Sequence, residues 1–112
     1  MISKEDILYI TKETEKVQAL FNKGNFKKVI DKTKVLLKKD PKQSLFYNMI
    51  GLSYRQLNNL ELAEKTFKLG LDTLPNSTSI FVNLGAMYRT QERFDEAKKI
   101  IQKALDIDQN NF

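Results

Sequence analysis

Residues 47–54 read YNMIGLSY, and residues 81–88, which lie 34 positions later, read FVNLGAMY. In both stretches the large apolar residues recur at steps of three and four, which predicts the buried face of an α-helix. Each stretch also carries a glycine, Gly51 or Gly85, within that face. Because glycine in a helix interior costs roughly 1 kcal/mol relative to alanine, its recurrence indicates a position with a special structural requirement.

The offset of 34 residues relates much longer segments than these two stretches. Residues 47–75 align with residues 81–109 without a gap, and Pro41 and Pro75 are separated by the same interval. The identical pairs in the alignment include Gly51 and Gly85, Tyr54 and Tyr88, Arg55 and Arg89, Ala63 and Ala97, and Leu71 and Leu105. Self-similarity at a fixed period of about 20–50 residues indicates a repeat architecture.

This pattern resembles the tetratricopeptide repeat, a helix-turn-helix unit of about 34 residues with the pattern W-x2-L-G-x2-Y…A-x3-F…P. The second repeat carries the pattern at Tyr47, Ile50, Gly51, Tyr54, Ala63, Phe67 and Pro75. The third repeat carries it at Phe81, Leu84, Gly85, Tyr88, Ala97 and Ile101, with Gln109 at the proline position. The first repeat is degenerate, and its glycine, tyrosine, alanine, first aromatic and leucine positions hold Val17, Leu20, Val29, Glu13 and Lys16.

The resemblance implies an all-α fold, a right-handed α-α superhelix built from three helix-turn-helix repeats at about residues 10–43, 44–77 and 78–111. We expect a single domain over residues 1–112, with six helices at about residues 3–22, 26–38, 43–57, 60–73, 77–90 and 94–107. Ser3 is expected to cap the first helix. In the family's packing, the glycine lies where the two helices of one repeat approach closely. Because the sequence ends where a fourth repeat would begin, we expect it to be part of a longer protein.

The composition excludes several classes of site. The chain contains no cysteine and no histidine, which excludes disulfides, thiolate or imidazole metal sites, and His-dependent nucleophilic catalysis. The phosphate-binding motifs GxxxxGK and GxGxxG are also absent from the sequence. We therefore predict that the protein is not an enzyme and carries no cofactor or metal. No apolar run approaches the roughly 18 residues of a membrane span, and we predict a cytoplasmic location.

The net charge of +5 is unevenly distributed along the chain. Residues 1–44 contain 11 lysines and 6 acidic residues, whereas residues 45–112 contain 8 basic and 8 acidic residues. The excess lies mainly between Lys23 and Lys42, where the lysines alternate with apolar residues at helical spacing. We interpret this segment as the solvated face of an amphipathic helix. Binding of nucleic acid is the less favoured alternative.

The resemblance also implies a binding surface, because the first helices of successive repeats line a concave groove in this family. The predicted groove residues are Thr14, Gln18 and Phe21 in the first repeat, Leu45, Asn48, Leu52, Arg55 and Gln56 in the second, and Val82, Asn83, Ala86 and Arg89 in the third. Arg55 and Arg89 lie one repeat apart and could hold a carboxylate of a partner between them. The alternative is that both arginines pair with nearby acidic residues or keep the surface soluble.

Two binding modes of the family can be checked at matching positions. Chaperone-binding members hold a C-terminal carboxylate with a clamp of lysine, asparagine and arginine. The matching positions here are Thr14, Gln18, Met49, Ser79 and Asn83, none of which is a cation. The sequence therefore predicts that this clamp is absent. Members that resemble the O-linked N-acetylglucosamine transferase carry a ladder of asparagines, of which only Asn83 is matched.

The preferred function is a non-catalytic protein-interaction scaffold that binds a peptide or helix of a partner protein, which could carry an acidic group. The alternative is an N-terminal accessory domain that orients the substrate of a larger enzyme, such as a glycosyl- or sulfotransferase. We also expect self-association through the C-terminal repeat, because its last face has no following repeat. That face is expected to expose parts of Ala97, Ile101 and Leu105, with Ala86 and Tyr88 nearby.

Overall fold

The computed structural model describes residues 2–109, and these residues form six α-helices and no strand. The helices are α1 (Lys4–Asn22), α2 (Phe26–Lys39), α3 (Ser44–Gln56), α4 (Leu60–Thr73), α5 (Thr78–Thr90) and α6 (Phe94–Gln109). Their ends lie within about two residues of the predicted ends. Ser3 caps α1 as expected, because its Oγ accepts a hydrogen bond of 3.1 Å from the backbone N–H of Asp6. The predicted all-α repeat fold is confirmed.

The turn inside each repeat has the same backbone conformation. Gly24, Asn58 and Glu92 lie 34 residues apart, and their φ angles are 78°, 60° and 61°. This left-handed conformation reverses the chain after the first helix of each repeat. Gly24 and Asn58 adopt it readily, whereas Glu92 adopts it against its intrinsic preference. The repeat therefore fixes this turn even where its side chain does not favour it.

The recurring glycine lies where the two helices of a repeat meet. A Cβ atom added to Gly51 would lie within 3.0 Å of the Phe67 ring, and one added to Gly85 would lie equally close to the Ile101 side chain. Real Cβ atoms essentially never approach other atoms so closely. Glycine on the first helix therefore makes room for a large side chain on the second.

The corresponding positions of repeat 1 have the opposite size order. Val17 takes the glycine position of α1, and Thr33 takes the position of Phe67 or Ile101 in α2. Both side chains are almost fully buried, with exposed fractions of 2% and 0%. The larger side chain has thus moved to the first helix and the smaller one to the second, which keeps the filled volume similar.

The hydrophobic core consists of two clusters that share α3. One cluster joins repeat 1 to α3 and contains Val17, Val29, Leu36, Phe46 and Met49. The other joins repeats 2 and 3 and contains Tyr47, Ala63, Phe67, Ile80, Leu84, Met87, Tyr88 and Ala97. Each helix pair packs internally, α2 packs on α3, and α5 packs on both α3 and α4. Stability is therefore distributed over neighbouring repeats, as in other solenoids.

A polar network around Glu64 also joins repeats 2 and 3. The carboxylate accepts hydrogen bonds from Arg93 at 2.6 Å and from the Tyr88 hydroxyl at 2.9 Å, and it forms an ion pair with Lys68 at 2.9 Å. The Arg93 guanidinium lies 4.1 Å from the centroid of the Tyr88 ring and also bonds Glu96. Hydrogen bonding by Arg93 is the main cause that lowers the pKa of Glu64 from 4.5 to about 2.

This depressed pKa predicts a specific dependence of stability on pH. A carboxyl group with a lower pKa in the folded state stabilises the protein above its unfolded pKa of 4.5, and this contribution is lost as the pH falls towards 2. Glu64→Gln should reduce the free energy of unfolding at pH 7 by about 1–2 kcal/mol, after allowance for solvent screening. The difference from the unmodified chain should vanish near pH 2, and urea unfolding at several pH values measures it. Glu61→Gln, on the exposed face of the same helix, is the control; an equal effect there would contradict the prediction.

Candidate functional site

The predicted groove residues of the second and third repeats lie along α3 and α5, which pack side by side. Leu45 and Val82 expose 42% and 49% of their surface, although both are apolar. Leu52, Arg55, Asn83 and Ala86 are half-buried, and Gln56 and Arg89 are exposed. The two helices therefore present an accessible strip that combines apolar side chains with two arginines.

Two side-chain hydrogen bonds connect α3 to α5 along this strip. Asn48 Nδ2 donates to Ser79 Oγ at 3.0 Å, and Arg55 Nη2 donates to Thr90 Oγ1 at 3.1 Å. Asn48 is 8% exposed, and its buried Oδ1 has no hydrogen-bond partner within residues 2–109. Asn48 thus lies beneath the strip, where it joins the two helices.

The two arginines carry the positive charge of the strip. Over the described part of the chain, neither Arg55 nor Arg89 forms an ion pair with an acidic side chain. Arg55 bonds the neutral hydroxyl of Thr90, and Arg89 is exposed. The positive charge of both groups therefore remains available to an anionic ligand.

The predicted residues of the first repeat are engaged within that repeat. The Thr14 hydroxyl donates to the carbonyl of Ile10 at 2.6 Å, and Gln18 Nε2 donates to Asn22 Oδ1 at 3.2 Å. Phe21 packs edge-on against Phe26, with ring centroids 5.3 Å apart. Among the predicted groove residues, the accessible apolar and basic side chains therefore lie on α3 and α5.

Three lysines of α2 have partners on the neighbouring helices. Lys32 lies 3.8 Å from Glu13, and Lys39 lies 3.4 Å from Asp6. The ammonium group of Lys34 lies 5.6 Å from the centroid of the Tyr54 ring. These contacts support the interpretation of the lysine-rich segment between Lys23 and Lys42 as the outer face of a packed helix. Within residues 2–109, no helix is long and apolar enough to cross a membrane.

An open cavity of about 430 Å³ lies beside the strip, between α5 and α6. Its lining residues are Val82, Gly85, Ala86, Arg89, Phe94, Ala97, Lys98 and Ile101. Sequence reasoning assigned Val82, Ala86 and Arg89 to the groove but missed Phe94 and Lys98. The repeat offset relates Phe94 to Leu60 and Lys98 to Glu64, but it does not by itself indicate that these positions are exposed in the last repeat.

The exposed surface of the last repeat differs in part from the predicted one. Leu105 is 49% exposed and Ile101 is half-buried, but Ala97 exposes only 7% of its surface. Tyr88, which was expected only near this surface, exposes 2%. Tyr88 is buried because it turns towards α4, where its hydroxyl bonds Glu64. The most exposed large apolar side chain among the described residues of this repeat is Phe94, at 60%, which was not predicted.

Comparison with known proteins places these features in context. A family model for the tetratricopeptide repeat matches residues 45–73 and 78–111, which is more than half of the chain. The anaphase-promoting complex subunit CDC16 of Saccharomyces cerevisiae is 36% identical over 58 residues. That match covers 52% of this chain and only 7% of the yeast protein.

Several solved structures share the fold. The first such domain of the human RPAP3 protein has a TM-score of 0.79 and 23% identity, and the match covers 92% of this chain and 81% of that one. The first such domain of Spaghetti (RPAP3), bound to the HSP90 peptide SRMEEVD, has a TM-score of 0.78 and 22% identity. That match covers 99% of this chain and 86% of the neighbour.

Two structures of MamA have TM-scores of 0.77 and 0.75, with 17% and 20% identity. These matches cover 90% and 84% of this chain, which spans 57% and 55% of the two MamA chains.

Proposed function

This chain belongs to the tetratricopeptide repeat family, and from that membership we propose that it is a non-catalytic scaffold that binds a peptide or helix of a partner protein. The supporting observation is the strip on α3 and α5, which combines exposed Leu45 and Val82 with Arg55 and Arg89. The strip is built on packed helices, so little conformational entropy is lost when a ligand binds. Its groups fit a ligand with apolar side chains and a carboxylate.

The carboxylate is supported by the charge of the strip and by one structural neighbour. That neighbour binds the peptide SRMEEVD, which contains three acidic residues. In this chain, however, Thr14, Met49 and Ser79 occupy clamp positions of chaperone-binding members, and Met49 is buried in the core. We therefore propose that an acidic group binds between Arg55 and Arg89 rather than in a C-terminal carboxylate clamp.

Charge reversal of the two arginines tests this proposal. The double variant Arg55→Glu/Arg89→Glu should bind acidic peptides at least about tenfold more weakly, because two attractive charges become repulsive. Its melting temperature should remain close to that of the unmodified chain, because neither arginine contributes to the apolar clusters. The measurement is selection from a random peptide library displayed on phage, followed by titration of the enriched sequences.

A control variant and a control peptide accompany this experiment. Lys99→Glu changes an exposed side chain of α6 away from the arginine pair and should leave affinity nearly unchanged. The peptide SRMEEVD should bind weakly, because the clamp cations are absent. Enriched peptides without acidic residues, or unchanged affinity in the double variant, would refute the role of the arginines.

Three further expectations remain predictions: the accessory-domain alternative, the cytoplasmic location and self-association. Nothing in residues 2–109 favours the alternative of an accessory domain in a larger enzyme, and the reading frame beyond Phe112 tests it. The cytoplasmic location also remains to be tested, by imaging of a tagged chain. Self-association through the C-terminal repeat remains a prediction that sedimentation at high micromolar concentration tests.

A further inference from the structure

In the middle of the solenoid, the next repeat covers one face of repeat 2. Helix α5 places Ile80 and Leu84 in the shared core, and Ile80 also contacts Gly70 of α4. Polar contacts surround this apolar centre: Ser79 bonds Asn48, Thr90 bonds Arg55, and Tyr88 and Arg93 bond Glu64. This face of repeat 2 therefore accepts a helix with apolar residues at the centre of the contact and polar residues around them.

Repeat 3 has an equivalent face, which we call the terminal face and define by Val82, Arg89, Phe94, Lys98 and Ile101. The offset of 34 residues relates these positions to Asn48, Arg55, Leu60, Glu64 and Phe67, in the same order. Val82 is 49% exposed, whereas Asn48 is 8% exposed. Phe94 is 60% exposed and Ile101 is half-buried, whereas Leu60 is half-buried and Phe67 is fully buried. The terminal face thus presents apolar surface that a helix covers one repeat earlier.

The charge of the terminal face indicates the chemistry of its ligand. Lys98 replaces Glu64, so the position that receives Arg93 in repeat 2 is positive in repeat 3. Arg89 repeats Arg55 and is exposed, whereas Arg55 already has Thr90 as its partner. A helix on the terminal face should therefore carry acidic residues where α5 and its following turn carry Thr90 and Arg93.

A second copy of the chain does not fit this face by continuing the stack. In α1, the positions that correspond to Ile80 and Leu84 hold Lys12 and Lys16, and both lysines are exposed. Insertion of two lysines into the apolar centre of the contact would bury charges without partners. They would also approach the positive side chains of Arg89 and Lys98.

We propose that the terminal face binds an amphipathic, acidic helix of a partner protein, in the position that α5 occupies on repeat 2. The helix contributes two apolar residues four positions apart, followed by acidic residues opposite Arg89 and Lys98. This site differs from the strip between α3 and α5 by Phe94, Lys98 and Ile101 of the last repeat, whereas Val82 and Arg89 border both surfaces. Residues 2–109 would thus offer a helix-binding face on repeat 3 in addition to the peptide-binding strip on α3 and α5.

The chain's own sequence supplies the probe for this proposal. Two fluorescent peptides are compared in anisotropy titrations with the full chain: residues 77–93 unchanged, and the same peptide with Thr90→Glu and Arg93→Glu. The acidic peptide should bind at least about tenfold more tightly. The variant Lys98→Glu should reverse this order, because it restores the charge found in repeat 2. Lys99→Glu, at the next position of α6, is the matched control and should change neither affinity.

The possible results distinguish between different occupants of the terminal face. Equal affinity for the two peptides, no binding at millimolar concentration, or insensitivity to Lys98→Glu would overturn the proposal. A dimer in sedimentation that Phe94→Ser dissociates would also overturn it, because the occupant would then be a second copy. Loss of binding with Arg55→Glu but not with Lys98→Glu would place the peptide on the α3–α5 strip, which refutes the terminal site but not the proposed scaffold function.

Discussion

A leucine at position 51 should lower the free energy of unfolding by about 3 kcal/mol or more. Even a Cβ atom at Gly51 would overlap the ring of Phe67, which is fully buried and cannot move into solvent. A leucine adds three further carbons to the same overlap, so α3 and α4 must separate. The melting temperature should fall by roughly 10–15 °C. Thermal unfolding followed by circular dichroism measures this change.

The structure supplies a rescue experiment for this prediction. Gly51→Val and Phe67→Thr introduce, together, the pair that repeat 1 uses at Val17 and Thr33. Each single variant should destabilise the fold, the first by overlap and the second by a cavity. The double variant should be more stable than the sum of the two effects predicts, by about 1–3 kcal/mol. Gln56→Leu, which adds apolar bulk at an exposed position of α3, is the control. Additive single effects would show that the helix contact does not explain the glycine.

Truncation of Ile80 should produce the second large effect. Ile80 is fully buried between repeats 2 and 3, and its loss leaves a cavity that costs about 2–5 kcal/mol. Because each repeat contacts only its neighbours, the damage should be greatest in α5 and α6. Amide hydrogen exchange should therefore accelerate in these two helices of Ile80→Ala well before it accelerates in α1 and α2.

Val82→Ala is the matched control, because Val82 lies two residues away on the same helix and is 49% exposed. It should change stability by less than about 0.5 kcal/mol. If Ile80→Ala accelerated exchange equally in all six helices, the domain would unfold as one unit, and the nearest-neighbour description would fail.

The repeat made most of the fold predictable from the sequence. A single offset of 34 residues identified the turns, the prolines and the glycine contacts, and it placed the helix ends within about two residues. The presence of Val17 and Thr33 at these positions of repeat 1 was not predicted to be compensating. The family pattern contains only glycine on the first helix at the point where the two helices of a repeat meet. The family resemblance likewise suggested an exposed face for Asn48, but Ser79 of the next repeat covers it.

The polar network was beyond the reach of the repeat pattern. Glu64 and Arg93 lie 29 residues apart, and neither recurs at the equivalent position of another repeat. Their pairing depends on the distance between α4 and the turn that joins α5 to α6, and hydrophobic periodicity does not determine this distance. The exposure of Phe94 was missed for a related reason, because the pattern does not distinguish a covered repeat from a terminal one.

The opposite size order in repeat 1 has a consequence for the fidelity of folding. Nascent repeat chains can pair a helix with the wrong partner, since all helices of one kind share a similar apolar pattern. If α4 took the place of α2 on α1, Val17 would press onto Phe67, and if α2 took the place of α4 on α3, a void would remain between Gly51 and Thr33. The size order therefore distinguishes repeat 1 from repeats 2 and 3, in which Gly51 faces Phe67 and Gly85 faces Ile101. We therefore expect Val17 and Thr33 to disfavour mispaired hairpins that contain one helix of repeat 1.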